Sequence, residues 1–342
     1  MMRKLIRYLL FGALAAGLAG AAFLWTVIFK PNVKIDTSVR IYLPGNSTFD
    51  DLTDTLRNSG ALKSERTFLI TARLKSYGRS VKPGSYVIEP GMSNNQIINM
   101  LRPGRQSPVN VTFNNIRTLE ELAGRIGKQI EADSASLSRF FDDENNYSSD
   151  GFTHATLISV FLPDTYQLYW TMDAKDFYRR MLREYKAFWT DERKSLAKAE
   201  NLTPVEVSIL ASIIDEEVVK ADEKPRIAGV YLNRLRQGIP LQADPTVKFA
   251  VNDFSIRRVL DEHLETDSPY NTYKYRGLPP GPVRCASKTG IDAVLHAEKH
   301  DYLYFVAKAD FSGYHHFSRT LAEHNRYASA YRRELNKRKI YR

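Results

Sequence analysis

The segment Ile209-Leu210-Ala211-Ser212-Ile213-Ile214-Asp215-Glu216-Glu217 sets three consecutive carboxylates at the end of an apolar run. On a helix turning about 100° per residue, with Leu210 at zero, Ile213 falls at about −60°, Ile214 at about 40° and Glu217 at about −20°. Glu217 thus lies at the centre of the apolar stripe, while Asp215, at about 140°, is on the far side and Glu216, at about −120°, is at the edge. Ionised and unpaired, a carboxylate in that stripe would cost several kcal/mol. It must be paired, or hold its proton with a raised pKa, the state a general acid needs at neutral pH. Two plainer readings stay open: the helix ends near Glu217 and the side chain turns into water, or a salt bridge neutralises it, for instance to Arg234. Arg234 sits between Ile227, Val230 and Tyr231 on the next helical stretch, where an arginine more commonly snorkels.

The element that must carry Glu217 begins at Thr203-Pro204-Val205-Glu206, which combines an N-cap, a proline at the first helical position and a capping box. Downstream lie three turn-rich segments, Leu241-Gln242-Ala243-Asp244-Pro245-Thr246, Ser268-Pro269-Tyr270-Asn271-Thr272-Tyr273 and Gly277-Leu278-Pro279-Pro280-Gly281-Pro282. Their amides and hydroxyls match the donors and acceptors of a sugar, and tyrosine faces can stack on its ring. The same residues also make turns for purely conformational reasons. Other chemistries find less support. No HExxH, GxSxG or Walker loop is present, and the seven histidines form no ligand-spaced cluster. A glycosidase with two carboxylates would need a partner for Glu217 at roughly 5–9 Å, and Asp244 is the nearby candidate.

The N-terminus decides the compartment. Arg3, Lys4 and Arg7 precede an uncharged run from Leu9 to Phe29, long enough as a helix to cross ~30 Å of hydrocarbon. The run continues past Ala19–Ala22 through Phe23-Leu24-Trp25, so it reads as an uncleaved signal anchor rather than a cleaved signal peptide. The basic cluster stays cytoplasmic and everything beyond Lys30 lies outside. Over 342 residues, 49 Lys and Arg outweigh 39 Asp and Glu, for a net charge of +10. That balance favours an anionic partner such as anionic lipid or a wall polymer; the outside location sets nucleic acid aside. The lone Cys285 excludes a disulfide framework and a cysteine-rich zinc site.

The length suggests about two domains at ~150 residues each. The expected organisation is a cytoplasmic stub (1–8), a transmembrane anchor (9–29), a stalk (30–37), a small α/β subdomain (38–107) and a mixed, mostly helical catalytic domain (108–342), giving an α+β fold class overall. In the small subdomain Val39, Ile41 and Leu43 alternate as a strand, a helix runs over 49–62 and another over 68–74, a second strand follows Pro83-Gly84, and Ser93 caps a helix that Pro103-Gly104 closes. Further expectations are a strand over 109–113 and helices over 119–130 and 173–190.

Several long, ordered motifs resemble the endolytic murein transglycosylase family, also called YceG-like, in the style of its Bacteroidota branch. They are YVIEPGMSNNQIINMLRPG, FLPDTYQLYW, ILASIIDEE, KPRIAGVYLNRL, LQADPTV, DSPYNTY, GLPPGP, DYLYFVA and HHFSRTLAEHN. The resemblance implies a LysM-like fold for the small subdomain. It also implies a membrane-anchored enzyme that cuts nascent peptidoglycan strands internally between MurNAc and GlcNAc, leaves a 1,6-anhydroMurNAc end and so terminates elongation. No cofactor and no metal are expected. Glycan strands are the expected substrate and the membrane the expected site of attachment; peptidoglycan synthases are suggested as protein partners. The last glutamate of the family's ASI-x-E-x-E motif falls on Glu217, the implied acid and base. Its first acidic position is Asp215 here, one methylene shorter, and Val218 replaces a small or hydroxyl residue. Gln242, Asp244, Tyr270, Asn271 and Thr272 are the implied sugar-orienting residues. A non-catalytic membrane-anchored scaffold that binds peptidoglycan, and a hydrolase of the same bond, are the alternatives.

Overall fold

The computed structural model describes residues 2–78, 80–256 and 258–338. It is a mostly helical α+β fold with three two-stranded sheets and a long apolar helix, Met2–Phe29, at the N-terminus. The chain divides into two compact units. The first holds Met1–Val111, Gln129–Ala132 and Tyr166–Met172, and the second holds Thr112–Lys128, Asp133–Thr165 and Asp173–Arg342. Strands Val109–Phe113 and Asp164–Leu168 pair with each other, and the division falls inside both.

In the first unit, Val39–Leu43 pairs antiparallel with Gly84–Ile88, Ile41 opposite Tyr86 and Leu43 opposite Gly84. The alternation of Val39, Ile41 and Leu43 turns these side chains toward one core, where Leu43, Leu52, Leu56, Phe68, Tyr86 and Ile97 are fully buried. Each such side chain contributes about 1.5–3 kcal/mol. Helices Phe49–Asn58, Glu65–Leu74 and Asn94–Leu101 complete the unit. They start at Thr48, Ser64 and Ser93, whose hydroxyls accept the N3 amides, and Thr48 and Ser93 form reciprocal capping boxes with Asp51 and Gln96. The expected helix 49–62 stops short, at Asn58, and the expected helix at 68–74 begins earlier because Ser64 caps it.

Residues 30–37, expected as a stalk, are stitched into this unit. Pro31 bridges to Ser93 and Val33 to Leu62. The buried Asn32 amide bonds to Ser64 O at 2.8 Å and to Asn94 Oδ1 at 2.7 Å, and Asn94 Nδ2 donates to the Val27 carbonyl at 2.8 Å. The last turn of the apolar helix is therefore anchored by side chains of the rest of the same unit.

In the second unit the Pro204–Glu217 helix is the central element. It packs against helices Lys224–Arg236, Asp244–Val251 and Lys288–Leu295, and every residue from Val207 to Ile214 is buried. Ser208 and Ser212 are buried with the rest, and their hydroxyls return to the carbonyls of Pro204 and Ile209. A hairpin of Tyr304–Ala307 with His315–Ser318 and the helix Leu321–Lys337 follow.

Candidate active site

The capping box at the start of the Pro204–Glu217 helix forms as expected: Glu206 N donates to Thr203 Oγ1 and Thr203 N to Glu206 Oε2. The helix ends at Glu217, with Val218 in extended conformation. One of the plainer expectations is thus right about where the helix stops, but Glu217 does not turn out into water. It is half-buried and lines a cleft of about 340 Å³ with Arg234, Leu241, Gln242, Asp244, Tyr273, Tyr304, Phe305, Leu321 and His324. Nor does Glu217 pair with Arg234, and among the described residues it has no ion pair.

What separates Glu217 from its two neighbours is charge pairing, not position on a stripe, because the helix is enclosed on all sides. Asp215, expected on the far face, is nearly buried: Lys224 Nζ lies at 2.6 Å, Ser287 N at 2.7 Å and Ser287 Oγ at 2.9 Å. Glu216 is held by Arg117 at 3.0 Å and Arg284 at 3.1 Å. Both neighbours are committed to cations. Glu217 accepts one hydrogen bond, from the Tyr231 hydroxyl to Oε1 at 3.3 Å. Burial, and then the Asp244 charge, push its carboxyl up to about 7, against smaller lowering effects of the Tyr231 hydrogen bond and the Lys248 charge. A carboxyl titrating there can both give and take a proton near neutrality.

The polar segments divide. Gln242 is exposed in the cleft with a left-handed backbone, φ 53°, held by Gln242 N to Thr272 O at 3.1 Å. Asp244 also lines the cleft and accepts from the Tyr273 hydroxyl at 2.6 Å. Asn271 and Thr272 are buried and bond within the protein. The Asn271 amide donates to Leu264 O and Thr266 O and accepts from Tyr273 N, and Thr272 Oγ1 meets Ala243 N and Thr246 Oγ1. Tyr270 is half-buried against Phe249, ring centroids 4.7 Å apart, and is not among the residues lining the cleft. Leu278, Pro279 and Pro280 line a different and larger groove of about 660 Å³. Its carboxylates are already used, Glu200 by Arg236 and Glu206 by the capping box, whereas the smaller cleft holds a carboxyl with no ion pair among the described residues.

Sequence reasoning missed Tyr231 as the partner of Glu217 and Tyr273 as the partner of Asp244. Tyr273 was legible as part of a polar segment. Tyr231 lay on an apolar stretch, where nothing separates a core tyrosine from one that touches a carboxyl.

The YceG-like family matches residues 41–330. The chain is 31% identical over 330 residues to the endolytic murein transglycosylase of Bacillus subtilis (strain 168), spanning 91% of this chain and 90% of that protein. It is 29% identical over 341 residues to the endolytic murein transglycosylase of Streptococcus pneumoniae (strain ATCC BAA-255 / R6), spanning 88% of this chain but 60% of that longer protein. A crystal structure of a yceG-like protein from Listeria monocytogenes matches with a TM-score of 0.58 at 26% identity, over 85% of this chain and 99% of that one. With the family matched over residues 41–330 and a relative 31% identical over nine-tenths of both chains, this chain belongs to the YceG-like family.

Proposed function

We propose that this chain is a membrane-anchored lytic transglycosylase that cuts nascent glycan strands of peptidoglycan internally and so ends their elongation. The observation that carries this reading is Glu217: one carboxyl without an ion pair among the described residues, pushed up to about 7, in a cleft beside two carboxylates of the same helix that are both neutralised by cations. The names of the relatives support peptidoglycan as the substrate. The helix Met2–Phe29, long and apolar enough to span a bilayer, supports the anchor, with the domain beyond it on the outer side.

The reaction follows from one group used twice. Tyr231 donates to Oε1 of Glu217, which leaves Oε2 to carry the proton. Glu217 gives that proton to the oxygen linking MurNAc C1 to GlcNAc, and the C1–O bond breaks. The C6 hydroxyl oxygen of the same MurNAc bonds to C1, and the Glu217 carboxylate takes the hydroxyl proton. A 1,6-anhydro ring forms, no water is consumed and the acid is regenerated. Proton transfer of this kind contributes about 10²–10⁴-fold. Asp244, whose charge helps to raise Glu217, faces the positive charge that develops at C1. Gln242 contacts the sugar, while Asn271 and Thr272 hold the segment from which Gln242 and Asp244 project.

A hydrolase is the second reading, favoured by Asp244 as a second carboxylate in the cleft. The deciding experiment is mass spectrometry of purified glycan strands after incubation with the full-length chain in detergent, wild type beside Glu217→Gln. Anhydro-ended fragments from the wild type alone support the transglycosylase. Reducing-end fragments favour the hydrolase, and strands bound but uncut by both favour a scaffold.

A further inference from the structure

Arg234 is a buried guanidinium, 6% exposed, with no carboxylate partner among the described residues. Burial lowers its pKa, as expected for a cation withdrawn from water without a counter-ion. It neither snorkels nor pairs with Glu217. Instead Nη1 donates to the Leu241 carbonyl at 2.8 Å, Nη2 donates to Gln242 Oε1 at 2.8 Å, and the guanidinium lies 5.2 Å over the Tyr304 ring. Three contacts fix the plane of the fork at the wall of the Glu217 cleft.

That arrangement decides which way the Gln242 amide faces. A guanidinium carries only donors, so the amide atom beside it must be the oxygen. The NH2 must then point away from Arg234. The backbone cannot swing the side chain elsewhere without cost, because Gln242 sits at φ 53° and is tied down by Thr272. Gln242 is exposed in the cleft, so its two remaining N–H donors are offered to whatever enters. An unrestrained glutamine would present either end.

We infer that Arg234 is a positioning residue that fixes Gln242 as a hydrogen-bond donor for the acetamido carbonyl of an amino sugar bound beside Glu217. This rests on the glycan reading of the cleft and names what the cleft reads. The acetamido carbonyl is the strongest neutral acceptor on either sugar of the strand, and a donor that cannot turn round selects for it. Arg234 acts through Gln242 and touches neither the reacting oxygen nor Glu217.

The test is a double-mutant cycle on binding, which requires no turnover. Full-length chain in detergent, carrying Glu217→Gln, is titrated with purified glycan strands. Gln242→Ala is expected to weaken binding about tenfold, the value of one lost hydrogen bond. Arg234→Met is expected to weaken it severalfold alone, and to add nothing once Gln242→Ala is present. Gln242→Glu keeps the Arg234 contact, and so the melting temperature, but offers only acceptors; it is expected to bind as weakly as Gln242→Ala. Strands stripped of their acetyl groups are expected to lose about tenfold more affinity for the Gln242 protein than for Gln242→Ala. Additive effects of the two substitutions, or an equal loss on de-acetylation in both proteins, would overturn the inference. Strands that bind, but that the chain with Glu217 intact leaves uncut, count against the transglycosylase while the cycle still judges Arg234. Strands that bind no form of the protein overturn both.

Discussion

Tyr273 donates its hydroxyl to Asp244 Oδ1 at 2.6 Å, and Asp244 is the charge that most raises the Glu217 carboxyl. The two residues act on the acid in opposite senses. The hydrogen bond spreads the Asp244 charge; the charge itself keeps the proton on Glu217.

Opposite shifts in the pH dependence of strand cutting follow. Under the proposed mechanism, activity needs protonated Glu217 and should fall above pH of about 7. Asp244→Asn removes the charge but keeps an acceptor for Tyr273, so the alkaline limb should move down by on the order of one pH unit. Tyr273→Phe leaves the Asp244 charge less shielded, so the limb should move up by a few tenths of a unit. A pH–rate profile of each variant checks both; shifts in the same direction would separate Asp244 from the control of Glu217.

Glu217 should also cost stability in a defined window. Its carboxyl ionises around 4.5 in an unfolded chain and at about 7 in the folded one. Between those values the folded chain holds a proton that the unfolded chain has released, so stability falls as pH rises through the window. The cost is absent below the window and complete above it. Glu217→Gln, which can still accept from Tyr231, should therefore melt higher than wild type above pH of about 7 and equal it near pH 4.5. The gain should be on the order of 1–2 kcal/mol, since water at the cleft mouth weakens the effect. Thermal melts across the pH range measure it, and a gain independent of pH would place its origin elsewhere.

Glu217 was legible in the sequence for a reason that the fold then revised. A stripe presupposes a helix with a wet face, yet the Pro204–Glu217 helix is enclosed from Val207 to Ile214 and the Asp215 side chain is only 4% exposed. Burying three carboxylates requires cations, and among the described residues Asp215 and Glu216 have them while Glu217 does not. Those cations come from Lys224 and from Arg117 and Arg284, and the last two lie far from Glu216 in sequence, where no periodicity reaches. The small α/β unit was more readable because its signals are local: Thr48, Ser64 and Ser93 cap helices, and Val39, Ile41 and Leu43 alternate. Asn271 and Thr272 drew notice as polar turn residues, but their polar atoms serve the turn itself, a distinction that only the positions of Leu264, Thr266 and Ala243 supply.

The junction between the apolar helix and the rest of its unit yields a third prediction. Asn94 is fully buried and joins the Val27 carbonyl to Asn32. Asn94→Leu would remove the donor and acceptor together, leaving the Val27 carbonyl only the longer bond from Thr71 and Asn32 only its bonds to Ser64, at about 1–3 kcal/mol. Proteolysis of the full-length protein in detergent should then cut within residues 28–34, which the wild type protects. Equal protection in both proteins would mean that the bridges from Pro31 and Val33 suffice without Asn94.

The last prediction concerns Asp215, the first of the three consecutive carboxylates. The shorter side chain fits a site with no room. Asp215 is 4% exposed and Lys224 11%, and a Cβ on Gly290 would stand 2.6 Å from Asp215 Oδ1. Asp215→Asn would leave the Lys224 ammonium buried without its partner, costing about 3–5 kcal/mol. Gly290→Ala would push the carboxylate off Ser287 for about 1–3 kcal/mol. Both variants should lose stability, while the folded fraction keeps the alkaline limb of the wild type, because Asp215 is bound to Lys224 and Ser287 and not to the cleft. Denaturant melts and pH–rate profiles at low temperature test this together. A limb that moves with Asp215→Asn would give Asp215 a part in the acid's titration; a limb that stays, with stability lost, would make Asp215 a matter of packing rather than of chemistry.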